Sequence, residues 1–474
     1  MKRFIPGLIA MLLMVAAACL DTRTTSSVET PASAPAAPGR ASQQTESGMV
    51  AGAFSSTTAL VGGRVLDGYG GPPIDDAVVL IENERIAAVG PRSEVAVPDD
   101  ARIVSTEGMT VMPGLIDMHV HMMLLGHGDY RRWDDLYADQ QVDLIMPIAA
   151  EQLLWSGVTS ARDLGADPDD ILALRRRIDS GSVPGPRLFV SGPFLQVAAY
   201  EDYEEPFRWG ITSELQARQT VEQLARRGVD TIKLIDQDQM EDAVVAAIVR
   251  TAHAEGLPVV AHGHRMEEIR VGLRHGVDNF EHTGLGTAPG YPEDVLEGLR
   301  ERNSSLYWTP TISPLLTMRY TGEIFPERLD DPRWRQGMPA DLANEIRGSL
   351  GKITQLPYYA LFPSRIPKLR TKFDQLRETG VTLMIGTDSG IPTMFHNDST
   401  WREMALWVEF GVPPMQVIQA ATLWPSRFLG AEADIGVLAV GRYADLIAVR
   451  GDPLHDMRVL EDIDMVFKGG ERVR

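Results

Sequence analysis

At 474 residues the chain exceeds one ordinary compact domain and suits a barrel of ~250 residues with an appended module and a leader. Hydrophobic residues at 44% and charged residues at 23% exclude a disordered chain and a polytopic membrane protein. The 45 basic and 65 acidic side chains give a net charge of −20, which repels phosphate backbones and removes nucleic acid as a general partner; the single cysteine excludes an internal disulfide and any zinc–cysteine or iron–sulfur site.

Met1, Lys2 and Arg3 precede an apolar run over 4–18, the basic and short apolar regions of a secretory signal peptide. That run is too short to span a bilayer, which takes ~20 apolar residues. The only cysteine, Cys19, follows Ala16, Ala17 and Ala18, and this resembles a bacterial lipoprotein signal in which Cys19 becomes the lipidated first residue. Ala16 stands where leucine is usual, so plain secretion with cleavage after Ala18 stays open. From 19 to 57 the sequence is rich in Ser, Thr, Pro and Ala with few large apolar residues, a composition that reads as a flexible tether. The expected location is therefore the bacterial envelope, with a lipid anchor on the periplasmic or outer face as the only membrane contact, or a secreted soluble form.

From residue 58 short alternating apolar runs with Gly and Asp-Asp punctuation predict strands of a small antiparallel sheet. Similar runs near the C-terminus, around Leu446–Val449 and Met465–Phe467, predict that 58–113 and 430–474 build one β-sandwich domain from both chain ends. The segment between, 114–429, follows another rhythm. Gly157-Val158, Gly228-Val229, Gly276-Val277 and Gly380-Val381 each follow a helical stretch and precede a short apolar run, the helix-to-strand junction of an α/β fold, a (β/α)8 TIM-type barrel. Eight strands are predicted, at 114–120, 158–162, 187–191, 230–234, 258–261, 279–281, 305–309 and 382–386. Two long connections, 196–212 and 314–369, fall on the C-terminal side of strands three and seven, where barrel enzymes hold substrates.

Potential metal ligands cluster at the ends of these strands. His119 and His121 end strand one, Lys233 lies in strand four, His262 ends strand five, His282 ends strand six and Asp388 ends strand eight. Residues two apart in a strand point the same way, so His119 and His121 face one side together. Taken singly, a His-x-His pair is incidental, a strand lysine is a solubiliser and an aspartate after a strand is a helix cap. Their joint placement points to one cavity.

The run Val111-Met112-Pro113-Gly114-Leu115-Ile116-Asp117-Met118-His119-Val120-His121 resembles the strand-one signature of the amidohydrolase superfamily, and Ile385-Gly386-Thr387-Asp388-Ser389-Gly390 is similar to its strand-eight motif. Thr231-Ile232-Lys233-Leu234 with His262 and His282 resembles the binuclear group with a carboxylated lysine, which includes Xaa-Pro dipeptidases, prolidase-like hydrolases and imidazolonepropionase-like relatives. The resemblance implies two divalent metal ions, zinc for choice. It places His119, His121 and Asp388 on the more buried ion and His262 and His282 on the other, with N-carboxylated Lys233 as a bridge. It further implies attack by a metal-bridging hydroxide, with Asp388 shuttling the proton to the leaving amine.

His264 lies two residues past His262 and reads either as an oxyanion stabiliser in the same cavity or as a solvated loop histidine. Arg265 and Arg162 are the candidate substrate-binding residues; Arg265 otherwise stands on the surface, and Arg162 otherwise locks to Asp163. Relatives of the dipeptidase type often carry a tyrosine close after the strand-five histidine, where this chain has Gly263-His264-Arg265. His127 and His396 read as polar rim, and His253 and His275 as structural. Within 314–369, Tyr320, Phe325, Trp334, Tyr358, Tyr359 and Phe362 predict a hydrophobic lid or the interface of a homo-oligomer.

The expected activity is hydrolysis of a C–N bond in a small substrate such as a dipeptide or N-acyl amino acid. Lactone, carbamate, cyclic imide and phosphotriester hydrolysis stay open, since one ligand set serves them all. A tethered binding protein without catalysis would show a broken ligand set, and all six positions here are filled.

Overall fold

The computed structural model describes residues 57–197, 206–283, 286–356 and 358–474. The expected signal peptide, Cys19 and all but the last residue of the tether lie outside them. Among the described residues, no helix is long and apolar enough to cross a membrane.

Both chain ends meet in one sheet of eight strands. Thr57–Val65 pairs antiparallel with Ile74–Glu82, Leu60 opposite Val79, because alternate apolar side chains give each strand one face to bury. Leu446–Arg450 adds antiparallel to Met109–Pro113, with Ile447 opposite Met112, and Met465–Lys468 follows. The sheet is mixed rather than antiparallel: Arg102–Ser105 and Met109–Pro113 both run parallel to Thr57–Val65. Residues 92–101 carry the chain back across the sheet as a crossover instead of a hairpin, and a crossover yields parallel neighbours. Leu60, Val79, Ile81, Val111, Leu446 and Phe467 fill the core on its buried face.

Eight further strands occupy the predicted positions, most of them shorter than expected, and are labelled β1 Leu115–Val120, β2 Val158–Asp163, β3 Arg187–Val190, β4 Ile232–Leu234, β5 Val259–His262, β6 Asn279–Glu281, β7 Tyr307–Thr309 and β8 Thr382–Leu383. All pair in parallel and in chain order, β1–β3 in one sheet and β4–β8 in another. Backbone hydrogen bonds tie the sheets at both margins: Met118 N donates to Ile385 O at 3.0 Å, and Asp230 N to Val190 O at 2.8 Å. The connection after β3 is not simply a loop. Phe194–Gln196 pairs with β4 and with Arg208–Gly210, extending the second sheet.

Helices cover these strands with one apolar stripe each. Glu214–Arg227 buries Ala217, Val221 and Leu224, four and three residues apart, and ends at Gly228 with φ 86°. Met266–His275 and Phe362–Thr379 likewise end at left-handed Gly276 and Gly380, the caps expected from the Gly-Val pairs. The insert after β7 is helical too, with Ser313–Arg319 and Ala340–Leu350 leading into Phe362–Thr379.

Candidate active site

The C-terminal ends of β1, β5 and β6, together with the segment after β8, bring six side chains into one mouth. Donor atoms of His119, His121 and Asp388 lie within 4.8 Å of one another, and so do those of His262, His264 and His282. Asp388 Oδ1 is 3.1 Å from His121 Nε2 and 3.4 Å from His119 Nε2, while Oδ2 is 3.8 Å from His282 Nδ1. The His119 and His282 rings are 4.7 Å apart, as are those of His262 and His282, so the two trios share an edge.

Local backbone explains the convergence. His282 and Asp388 both have positive φ, 73° and 59°, which ends the strand alternation and turns each side chain inward. Gly386 permits the approach, since a Cβ there would meet His119 Cβ and Thr309 Cγ2 at 3.0 and 2.4 Å. Buried Asp117 locks the motifs together, accepting from Thr387 N and Oγ1 at 3.1 and 2.8 Å and from Thr400 Oγ1 at 2.9 Å.

The polar atoms beneath the site set proton positions. His119 Nδ1 lies 2.7 Å from Glu281 Oε2; with Glu281 ionised against Arg162 that oxygen accepts, so Nδ1 carries the hydrogen and the Nε2 lone pair faces Asp388. Burial holds His119, His262 and His282 well below the ordinary histidine range, keeping all three neutral. His264 is pushed down to about 3 for the same reason, and its ring stacks on His262 at 4.5 Å, which assigns it to the cavity rather than to a solvated loop.

Lys233 is fully buried in β4, and its Nζ has no hydrogen-bond partner. Burial lowers its pKa to about 8, which raises the share of free amine at neutral pH. Nζ of Lys233 and Nε2 of His119 are buried orphans, each of which would cost free energy unless something completes it. Neutral imidazoles, a carboxylate and a carboxylatable amine form a donor set that fits two divalent ions.

Arg162 is placed elsewhere than expected. It is fully buried under the site, donating to Glu281 Oε1 at 2.6 Å, Asn279 Oδ1 at 2.8 Å and Met118 O at 2.8 Å, so it touches no cavity and is not locked to Asp163. Burial, offset only in part by Arg162, pushes Glu281 up to about 7. Arg265 borders a cavity but is held by Asp236, Asp238 and Glu268 at 2.6, 2.6 and 2.8 Å. His396 is internal: its Nε2 donates to Leu124 O at 2.9 Å and its Nδ1 accepts from Ser389 Oγ at 2.9 Å. His127 packs between Asp129 and Glu345, and the helical His253 and His275 pair with Asp278 and Asp242 of neighbouring elements.

The site opens into a cavity of about 280 Å³ lined by His121, His262, His264, His282 and Asp388 with Phe194, Phe207 and Tyr130. An adjoining cavity of about 610 Å³ shares Tyr130, His264, His282 and Asp388 and is walled by Leu315, Met318, Tyr358, Phe362 and Arg365 of the insert. The insert aromatics therefore divide. Tyr358 and Phe362 face the cavity, Trp334 is buried against Phe395 at 4.7 Å, and Tyr320 and Phe325 are exposed beside Ile324.

Three residues went unread in the sequence. Glu281 had a signal, because Asn279 and Glu281 stand two apart in a short buried strand and so face the interior together. Thr311, which bonds His282 Nδ1 at 2.8 Å, had none, since it lies in a connection without period, and Arg365 had none, since one polar residue on a helix does not show what it faces.

Imidazole and carboxylate donors gathered at the ends of parallel strands define a class, the hydrolases that work at the mouth of an α/β fold. Residues 110–473 match the Amidohydrolase family, and the chain belongs to that family. It is similar to ochratoxinase of Aspergillus niger, 26% identical over 88% of this chain and 86% of that one. It is also similar to imidazolonepropionase of Pseudomonas aeruginosa (strain UCBPP-PA14), 24% identical over 79% and 87%. Among solved structures it resembles a Xaa-Pro dipeptidase with methionine bound in its active site, with a TM-score of 0.69 and 25% identity over 88% of this chain and all of the other. The chain is thus a hydrolase acting on carbon–nitrogen bonds.

Proposed function

We propose that this protein hydrolyses the amide bond of a small substrate, a dipeptide or an N-acyl amino acid, on a (β/α)8 barrel whose companion sheet is a β-sandwich. The observation that carries the reading is the pair of donor trios, His119–His121–Asp388 and His262–His264–His282, at the mouth of an apolar-walled cavity, with the unpartnered amine of Lys233 beneath. The similarity to ochratoxinase and to a Xaa-Pro dipeptidase supports an amide substrate.

His119, His121 and Asp388 would hold one divalent ion, His262 and His282 a second, and N-carboxylated Lys233 would bridge them, with His264 as a further donor. Such ions, zinc in this proposal, supply Lewis acidity toward a carbonyl and acidify water. The chain does the rest. Asp388 reaches the cavity, its side chain 13% exposed, so its carboxylate takes the proton of the attacking water and delivers it to the leaving nitrogen. The Arg162–Glu281–His119 chain fixes the His119 tautomer. Phe194 and Phe207 line the cavity and shed water from it.

The test is amine release by the zinc-reconstituted protein across dipeptides and N-acyl amino acids, with Asp388→Asn as the blank. Turnover within one class supports the reading. No release from any member, with two metals per chain confirmed, transfers the proposal to lactones, carbamates, cyclic imides and phosphotriesters.

We propose also that residues 1–18 export the chain and that Cys19 carries its lipid. Membrane fractionation checks this: wild type sediments with membranes, and Cys19→Ser becomes soluble.

A further inference from the structure

Two arginines border the larger cavity, and they differ. Arg265 is neutralised by three carboxylates at 2.6, 2.6 and 2.8 Å. Arg365, half-buried on the helix Phe362–Thr379, pairs with none among the described residues, and its Nε is buried without a hydrogen-bond partner. Its only perturbation is burial, which no opposing charge relieves. Nearby cations on the same helix are tied down: Lys368 Nζ donates to Thr287 O at 2.5 Å and Lys372 Nζ to Gly286 O at 2.8 Å. A guanidinium cannot shed its proton to escape desolvation, so a half-buried one without an opposite charge is stabilised when an anion joins it.

We propose that Arg365 is the specificity residue of the cavity and binds a carboxylate of the substrate through its planar fork, while the scissile carbonyl lies toward Asp388. Both residues line the same 610 Å³ space, large enough for an amide with a carboxylate at one end and an apolar body against Leu315, Met318 and Phe362. This rests on the amide-hydrolase reading and deepens it: Arg365 is what selects the free carboxylate that dipeptides and N-acyl amino acids share, and amides without one are poor substrates. It replaces Arg162 and Arg265, whose guanidinium groups are already engaged.

The test compares N-benzoylleucine with N-isoamylbenzamide, the same amide with hydrogen in place of the carboxylate, by amine release from the metal-loaded full chain. Wild type is expected to favour the acid in kcat/KM by ~10- to 100-fold, the range of a charge-assisted contact. In Arg365→Leu the preference collapses to within a few-fold, chiefly through KM, and Arg365→Lys restores part of it. The thermal midpoint of Arg365→Leu should not fall, because no partner is lost. A preference that survives Arg365→Leu overturns the proposal. If neither amide is cleaved, the amide reading stands or falls on the wider library, and a second measurement still decides on Arg365: calorimetric binding of isocaproate and isocaproamide to the metal-stripped full chain. Tighter binding of the acid that vanishes in Arg365→Leu upholds the proposal, and equal binding of the two by wild type overturns it.

Discussion

The floor and the wall of this cavity are made in opposite ways. The floor comes from strand ends, where His119, His121, His262, His282 and Asp388 stand on Glu281, Arg162 and Asp117, each of these three bonded to several neighbours. The wall comes from the insert after β7 and is apolar, with Leu315, Met318, Tyr358 and Phe362 around Arg365, which pairs with no carboxylate among the described residues. A rigid polar floor can hold reacting groups to fractions of an ångström, while an insert off the strand frame can change without disturbing them. On the proposed reading the difference separates two properties: reaction type below, choice of substrate above.

Substitutions can break that division. The largest effect belongs to the floor. Asp388→Asn should cut kcat for any cleaved amide by about 10²–10⁴ while metal remains bound, read by steady-state kinetics and metal analysis together. Undiminished kcat would refute the proton-shuttle role. Lys233→Ala should lose about one metal equivalent per chain, and chelation followed by zinc should restore activity to wild type but not to this variant; full recovery would sink the bridging role. Glu281→Ala should be both a folding and a site lesion. Leaving Arg162 buried without its carboxylate costs about 3–5 kcal/mol in denaturant unfolding, and freeing the His119 ring costs about 10- to 100-fold in metal affinity. An intact metal affinity would show that Glu281 supports the fold alone. The smallest effect belongs to the outer wall, where exposed Phe325→Ser should change stability by no more than about 0.5 kcal/mol and leave kcat/KM unaltered. A changed kcat/KM would extend the wall outward to include this aromatic.

The same division decides how much could be read in advance. The eight parallel strands were legible because left-handed glycine caps and short apolar runs are local signals, and the donor residues were legible because they end those runs. Glu281 was obscured by its neighbour: strand alternation would set residues 281 and 282 on opposite faces, but φ of 73° at His282 breaks that alternation. The parallel pairing of Arg102–Ser105 and Met109–Pro113 with the first strand was hidden because pairing partners forty residues apart leave no periodic trace. Arg162 misled because arginine at a strand end looks alike whether it meets substrate or Glu281. Arg365 lies on a helix of the insert, and its significance comes from the lack of an ion-pair partner among the described residues, which no motif can encode.

His282 and Asp388 also bear on how this protein can be engineered. Each holds a left-handed backbone that a glycine would adopt without strain, at a cost on the order of 1–3 kcal/mol per position. Directed evolution that screens for heat resistance alone would therefore be drawn to these two codons and would return hardier proteins with a dismantled reaction centre. A screen meant to toughen this enzyme has to keep turnover in every round.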